Sequence, residues 1–232
     1  MEDDLSIIAD SARALYDRGL YSAALEKYEA LIQSEVHESQ LYLNIGNCYT
    51  RLGELGEAKV YFERALLHNP VNESARHNLN WINLRITESI LEPQEELIHW
   101  VSGGARSFLL PEYWIILSWF FILVTLFMLI LRRTRMAGLT WRWPFATTAL
   151  AAAFIIIAQV SVPSSQLAIV TKRNSVGFSE PSNDSNQILI LNEGSSGIVI
   201  KEEHNWSCIK FSNGQLAWFS KNDWEMVLPK TN

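Results

Sequence analysis

Cysteine is nearly absent from this chain: two residues in 232, Cys48 and Cys208. They fall in segments read below as different folding units, so no structural disulfide is expected, and cysteine usage leaves the redox compartment open. Excess positive charge is also missing. The net charge is -6 with a pI near 5.4 and no basic stripe, which argues against a nucleic-acid partner. The five histidines, His37, His68, His77, His99 and His204, include no pair four residues apart and no neighbouring cysteine, so no metal site is expected. Ser102, Gly103 and Gly104 lack the lysine and the spacing of a phosphate loop. Glu95/Glu96 and Glu202/Glu203 are adjacent, and adjacent residues diverge on a helix or strand, so neither makes an acid/base pair. We expect no enzyme and no cofactor. The start, Met1-Glu2-Asp3-Asp4, has neither the basic residues nor the apolar core of a signal peptide.

What is present is a period. Gly19 and Gly53, Ala24 and Ala58, and Tyr28 and Phe62 each stand 34 residues apart, the repeat length of the tetratricopeptide helix hairpin. In the second unit Tyr42, Ile45, Gly46, Tyr49, Ala58, Phe62, Ala65 and Pro70 fit that pattern throughout. The first unit, from about Leu5 to Glu38, is more degenerate, with Ala12 in place of the glycine and Val36 in place of the proline. Glu73 to Thr87 opens a third unit and reads as a capping helix. Residues 1–90 are therefore a tetratricopeptide repeat domain, and 91–112 an amphipathic linker helix. Repeats of this kind hold partners rather than doing chemistry.

The first helix of each hairpin lines the groove of such a stack. Here it offers Arg13, Asn44, Asn47, Arg51, Asn78, Trp81 and Arg85, with Asp17 beside them. Asn both donates and accepts, and Arg donates a fork, so these side chains suit the main chain and carboxylates of an extended peptide. The alternative is that the asparagines follow the repeat pattern and the arginines are a solvated face.

Residues 113–162 read as a transmembrane hairpin. Tyr113 to Leu131 is 19 residues without a charge, about 28 Å as a helix. Its 13 Ile, Leu, Val and Phe residues favour insertion by about 6 kcal/mol. The second run, 145–162, is weaker and inserts as half of the hairpin. Arg132, Arg133, Arg135 and Arg142 lie between the runs, with Trp141 and Trp143 as interfacial anchors. By the positive-inside rule this loop is cytoplasmic and both flanking domains face outward. Exporting the first domain needs a leader that the given sequence does not show, so a missing leader is expected. A cytoplasmic repeat domain is the alternative.

From Leu167 short β-rich runs alternate with turns: Leu167 to Thr171, Gln187 to Leu191, Gly197 to Lys201, Trp206 to Phe211, Gln215 to Phe219 and Trp224 to Leu228. Asn213-Gly214 is expected to be a hairpin turn with both residues at positive φ. Residues 167–232 resemble a bacterial SH3-like barrel, with Ala217 where that family has glycine before Trp218. Trp206, Trp218 and Trp224 either offer an aromatic groove to a peptide or peptidoglycan fragment or pack the barrel core. The fold class is thus mainly α: helix-hairpin repeats, a two-helix transmembrane hairpin and a small all-β barrel.

The run Leu41-Tyr-Leu-Asn-Ile-Gly-Asn-Cys-Tyr-Thr-Arg-Leu-Gly-Glu-Leu-Gly-Glu-Ala-Lys-Val-Tyr-Phe-Glu-Arg-Ala-Leu, with Asn69-Pro and Ala75-Arg-His-Asn-Leu, resembles the repeat of the BatE proteins of bacterial Bacteroides aerotolerance (Bat) operons. The order of segments resembles that family over nearly the whole chain. The resemblance implies a multi-pass inner-membrane scaffold in a stress-tolerance complex, with both soluble domains periplasmic. Its implied partners are von Willebrand A-domain membrane proteins and a MoxR-type ATPase. The competing function is a cell-envelope sensor whose SH3-like domain binds peptidoglycan or peptide.

Overall fold

A computed structural model describes residues 2–34, 36–86, 111–134, 142–161, 166–211 and 213–228. It divides into two compact units, Met1–Pro93 with Ser164–Asn232, and Gln94–Pro163.

Five helices open the first unit: α1 (Glu2–Asp17), α2 (Tyr21–Gln33), α3 (Ser39–Leu52), α4 (Leu55–His68) and α5 (Glu73–Arg85). α1 pairs with α2, α3 with α4, and α5 packs on α4. Two glycines in the second hairpin serve different ends. Gly53 takes φ 84 in the turn, where an added Cβ would meet nothing within 4 Å, so conformation alone selects it. Gly46 on α3 is selected by space, because a Cβ there would lie 2.7 Å from the Phe62 ring on α4. Ala12 stands at the equivalent place in the first hairpin and is fully buried, as are Ala24, Ala58 and Ala65. Asn72 caps α5 by accepting from the Ala75 N–H at 3.0 Å. Its amide donates to Ser39 Oγ at 2.9 Å, and Ser39 donates to the Ala65 carbonyl at 2.8 Å. The ends of three helices are thereby tied together.

The carboxyl-terminal part is an antiparallel sheet of seven strands: β1 (Leu167–Val170), β2 (Ser175–Phe178), β3 (Gln187–Leu191), β4 (Ser196–Glu203), β5 (Trp206–Lys210), β6 (Leu216–Ser220) and β7 (Trp224–Met226). Their order is β3-β2-β6-β5-β4-β1-β7. Leu191 from one edge strand and Trp224 from the other belong to one buried cluster with Val170, Ile209, Phe211 and Phe219, so the sheet coils around its core. Strand β2 is absent from the sequence reading because Gly177 interrupts it. That glycine is required, since a Cβ would meet Phe219 and Ala217 within 2.8 Å. The expected turn at Asn213-Gly214 is corrected: Gly214 takes φ 82, but the hairpin closes between Phe211 and Gln215 and not as a two-residue turn. Asn213 Oδ1 instead accepts from the Gln215 N–H at 2.9 Å, and the Phe211–Gln215 bond closes a three-residue loop. The two-residue turn with a residue at positive φ lies at His204 (φ 50) and Asn205, between β4 and β5.

Repeats and sheet share a core through α4. Val60 on α4 is buried with Ile169 and Val227, flanked by Leu67 and Leu167. A Cβ on Gly56 would lie 2.8 Å from the Thr171 Cα and the Val170 carbonyl, so the helix and strand backbones approach as closely as they can. Arg64 donates from Nε to the Val227 carbonyl (2.9 Å) and from Nη2 to the Met226 carbonyl (2.8 Å) and the Glu225 carboxylate (2.7 Å). Lys59 donates to the Gly194 carbonyl and Ser196 Oγ, both at 2.8 Å. Arg173 reaches the Gly53 carbonyl at 3.0 Å, and Ile86 packs on Gly194.

The second unit pairs α6 (Pro111–Thr134) with α7 (Arg142–Ser161). Both are long and apolar enough to cross a membrane. Contact runs along matching stripes, Trp114, Ser118, Phe121 and Thr125 on α6 and Thr147, Ala151 and Phe154 on α7. Ser118 donates to the Ala151 carbonyl at 3.2 Å, Thr125 Oγ1 lies 2.7 Å from Thr147 Oγ1, and Trp114 and Phe121 pack on Phe154. Small residues and buried hydroxyls are what allow apolar helices to associate in lipid. The expected linker helix falls almost entirely outside the described residues.

The Gly46–Phe62 contact predicts a specific pattern of stability. Gly46→Ala costs about 1–3 kcal/mol through overpacking, and Phe62→Leu recovers part of it in the double variant. Gly53→Ala costs about 1–2 kcal/mol through φ strain, with no recovery from Phe62→Leu. Thermal unfolding of the three single and two double variants in detergent checks both statements, and additive effects for Gly46 and Phe62 would refute the contact.

Candidate functional site

Asn44, Asn47 and Arg51 on α3 stand one repeat before Asn78, Trp81 and Arg85 on α5, and in each helix the spacing of three and then four residues puts the triplet on one side. Arg13 on α1 is the one-repeat equivalent of Asn47 and is exposed. The structure joins the triplets directly: Asn78 Nδ2 donates to Asn47 Oδ1 at 2.8 Å. Asn44 accepts from Gln40 Nε2 at 3.0 Å. Arg51 Nε points to Tyr16 Oη at 3.4 Å, which links α3 back to α1. The Arg85 guanidinium lies 3.9 Å from the centre of the Trp81 ring, a cation–π pair that stiffens both side chains. Asn44, Asn47 and Asn78 are half-buried, and Arg51, Trp81 and Arg85 are exposed. Chemically this is a strip of amide donors and acceptors flanked by cations, suited to an extended main chain bearing carboxylates.

Behind the strip the groups are locked by burial. Burial pushes the Tyr28 and Tyr61 phenols up to about 12 and the Cys48 thiol up to about 11, so the thiol is inert at neutral pH. Tyr49 Oη donates to Glu29 at 3.3 Å, and burial first, then the neighbouring Tyr61 and Glu29, raise its phenol further. The His68 ring stacks on Tyr42 at 5.1 Å, and His37 Nδ1 lies 2.8 Å from the Tyr42 hydroxyl. Burial, then repulsion from His37, lowers the His68 pKa below its ordinary 6.5.

The three tryptophans do not form one groove. Trp224 is buried in the sheet core, which corrects its assignment to a surface groove with the others. Trp206 and Trp218 lie on the opposite, outer face. Strand register sets Trp218 opposite Phe178 and Cys208, Trp206 packs edge-on against Phe178 at 5.4 Å, and Lys201 lies 5.7 Å from the Trp218 ring. Further along this same face are Leu167 and Ile169, which α4 covers.

Sequence reasoning missed Tyr16, Lys59, Arg64 and Arg173. A signal existed for the α4 contact: Gly56, Val60 and Leu67 recur at helical spacing on a side of α4 that the repeat positions Ala58, Phe62 and Ala65 do not use.

A lowered histidine pKa fixes the sign of a pH effect. Between the folded and unfolded pKa values the unfolded chain binds more protons, so stability is present above about 6.5 and is lost as pH falls through that range. His68→Gln therefore flattens the stability profile between about pH 7 and pH 5 relative to the parent chain. Denaturant midpoints at these pH values check it, and parallel profiles would count against a lowered pKa at His68.

The tetratricopeptide repeat profile matches residues 39–72, which are α3, α4 and the turn into α5. Among curated proteins the chain is similar to tetratricopeptide repeat protein 16 of Mus musculus, 33% identical over 66 residues. That alignment takes in 28% of this chain and 9% of the mouse protein, so the likeness is between repeats and the chain spans a small part of the relative's length. Residues 39–72 of this chain thus match a tetratricopeptide repeat, a kind of repeat that mediates protein–protein interaction.

Proposed function

We propose that this chain is a non-enzymatic, membrane-anchored scaffold that holds an extended segment of a partner protein across the α3 and α5 triplets. The observation that carries the reading is the repetition of one binding pattern, Asn44/Asn47/Arg51 and Asn78/Trp81/Arg85, on neighbouring helices joined by the Asn47–Asn78 bond. Packing supports it: the sheet covers the α4 side of the repeats, while the triplet side keeps exposed arginines and a tryptophan 37% exposed. Asn44→Ala with Arg51→Ala abolishes co-purification of the partner from native membranes, and unchanged recovery would sink the assignment.

The shared core also constrains membrane topology. Residues before and after the hairpin pack on one another, which supports a topology with both on one side of the membrane and an even number of spans between them. With the arginine-rich loop cytoplasmic, both lie on the outer side of an inner membrane. This agrees with the BatE resemblance and its implied setting, a Bat aerotolerance complex with von Willebrand A-domain proteins and a MoxR-type ATPase. Val71→Cys and Asn222→Cys, both exposed positions, are both labelled by a membrane-impermeant maleimide in intact cells. Labelling of only one contradicts the shared core, and labelling of neither without lysis reverses the orientation.

A second reading rests on the outer face of the sheet, where Phe178, Trp206 and Trp218 lie together beside Lys201. An SH3-like sensor of peptidoglycan would use this aromatic face. Retention of the full chain on purified cell wall, lost in Trp206→Ala, distinguishes it from the scaffold.

A further inference from the structure

The chain has very little length between its last apolar helix and its sheet. α7 ends at Ser161, and Gln166 is already fixed to the sheet, its carbonyl accepting from the Val199 N–H at 2.9 Å. The five residues from Ser161 to Gln166 extend at most about 17 Å, whatever conformation they take. On either side of Val199 in β4 stand Ile198 and Ile200, 40% and 49% exposed. The ladder to β5 shifts register between Val199 and Lys201, so Ile200 is the extra residue of a bulge. Strand register sets Ile198 opposite Lys210, and Lys210 opposite Leu216, which is 48% exposed. The row Ile198, Lys210, Leu216 covers about 10 Å, two strand spacings. No acid stands in this row, and Glu202 and Glu203, further along β4, are engaged by Lys221 and Lys201. Aliphatic side chains flanking a lysine suit a bilayer interface, which takes up the apolar stems while the ammonium group stays among the headgroup phosphates.

We propose that Ile198, Ile200, Lys210 and Leu216 form a lipid-contacting patch, by which the sheet rests on the surface of the bilayer that its own chain has just left. The inference depends on the membrane-anchored reading of the apolar helices. The short leash selects the occupant. Residues 162–165 are all that separates the end of α7 from Gln166, so the patch never travels far from lipid. A connection this short gives an effective concentration on the order of millimolar, and a contact too weak to hold a free domain on a membrane is then well populated. A second copy of the chain or a foreign peptide gains nothing from the leash. Lys210 adds a preference for anionic lipid, since one lysine near a charged surface favours association about fivefold. The patch is small because it has to orient a domain that is already tethered, and not to recruit one from solution.

The test uses the full chain in nanodiscs of phosphatidylcholine and phosphatidylglycerol, with nitroxide labels placed singly at Ile200→Cys, Leu216→Cys, Leu123→Cys and Val71→Cys. Leu123 and Val71 are also exposed, at 60% and 55%. Cys48 and Cys208 are buried, and the parent chain carried through the same labelling sets their background. Oxygen, which partitions into lipid, relaxes the labels at positions 123, 200 and 216, whereas a water-soluble nickel chelate relaxes the label at position 71. Lys210→Glu, with an unchanged circular dichroism spectrum, raises nickel access at positions 200 and 216 about fivefold or more. If position 123 reads as lipid while 200 and 216 match 71, the patch is overturned and the anchoring stands. Nickel access at 123 removes the anchoring itself, and the patch with it. Labels at 200 and 216 shielded from both reagents mean that protein covers them, and shielding that appears only on adding purified cell wall assigns the face to the sensor reading. Either result overturns the proposal, as does nickel access unmoved by Lys210→Glu.

Discussion

Helix α4 is packed on two sides, and the rest of the first unit depends on that. On one side its Phe62 ring fills the space left by Gly46. On the other, its own Gly56 lets the backbone of β1 come into contact. Each close approach exists because one partner lacks a side chain, and close packing of this kind forfeits energy quickly when atoms are added or removed. Around the apolar centre of Val60, Ile169 and Val227, Lys59 and Arg64 satisfy backbone carbonyls at the rim of the sheet. Arg64 is only 12% exposed while Glu225 is 40% exposed, so its bonds to carbonyls matter more than the half-solvated ion pair.

Because the sheet takes the α4 side, the amide and arginine strip of α3 and α5 is a part of the repeats that the sheet leaves uncovered. A short stack has little stability of its own, since each repeat depends on its neighbours. Here a β-sheet supplies the missing neighbour laterally. The same contact ties the amide and arginine strip, through α3 and α4, to the outer face of the sheet, whose register runs from the α4-covered Leu167 to Ile198 in the next strand. The repeat face and the sheet are therefore parts of one body and not beads on a chain.

Much of this was legible in sequence because its causes are local. A 34-residue period, a glycine needing positive φ and a charge-free run of 19 residues each follow from chain geometry. The strands were readable where apolar residues run together and unreadable at β2, where Gly177 answers to Phe219, more than forty residues away. The turn at Asn213 departed from expectation because its side chain bonds the Gln215 backbone, an alternative that the Asn-Gly pair alone does not reveal. Trp224 looked like its neighbours, yet strand register buried it on the opposite face from Trp206 and Trp218. The α4–sheet core was hidden for another reason: its halves are about a hundred residues apart, and only the surplus stripe of Gly56, Val60 and Leu67 hinted at it.

That separation has a consequence for how the protein is made. The α4 stripe leaves the ribosome well before the strands that cover it, and the two long apolar helices are made in between. At roughly 5–20 residues per second, the hundred residues from Leu67 to Leu167 take about 5–20 s, during which Val60 and Leu67 lack the strands that cover them. Folding of the first unit therefore includes a waiting stage in which the repeats are formed but unfinished, and it ends only when the carboxyl-terminal strands arrive to cover the α4 stripe.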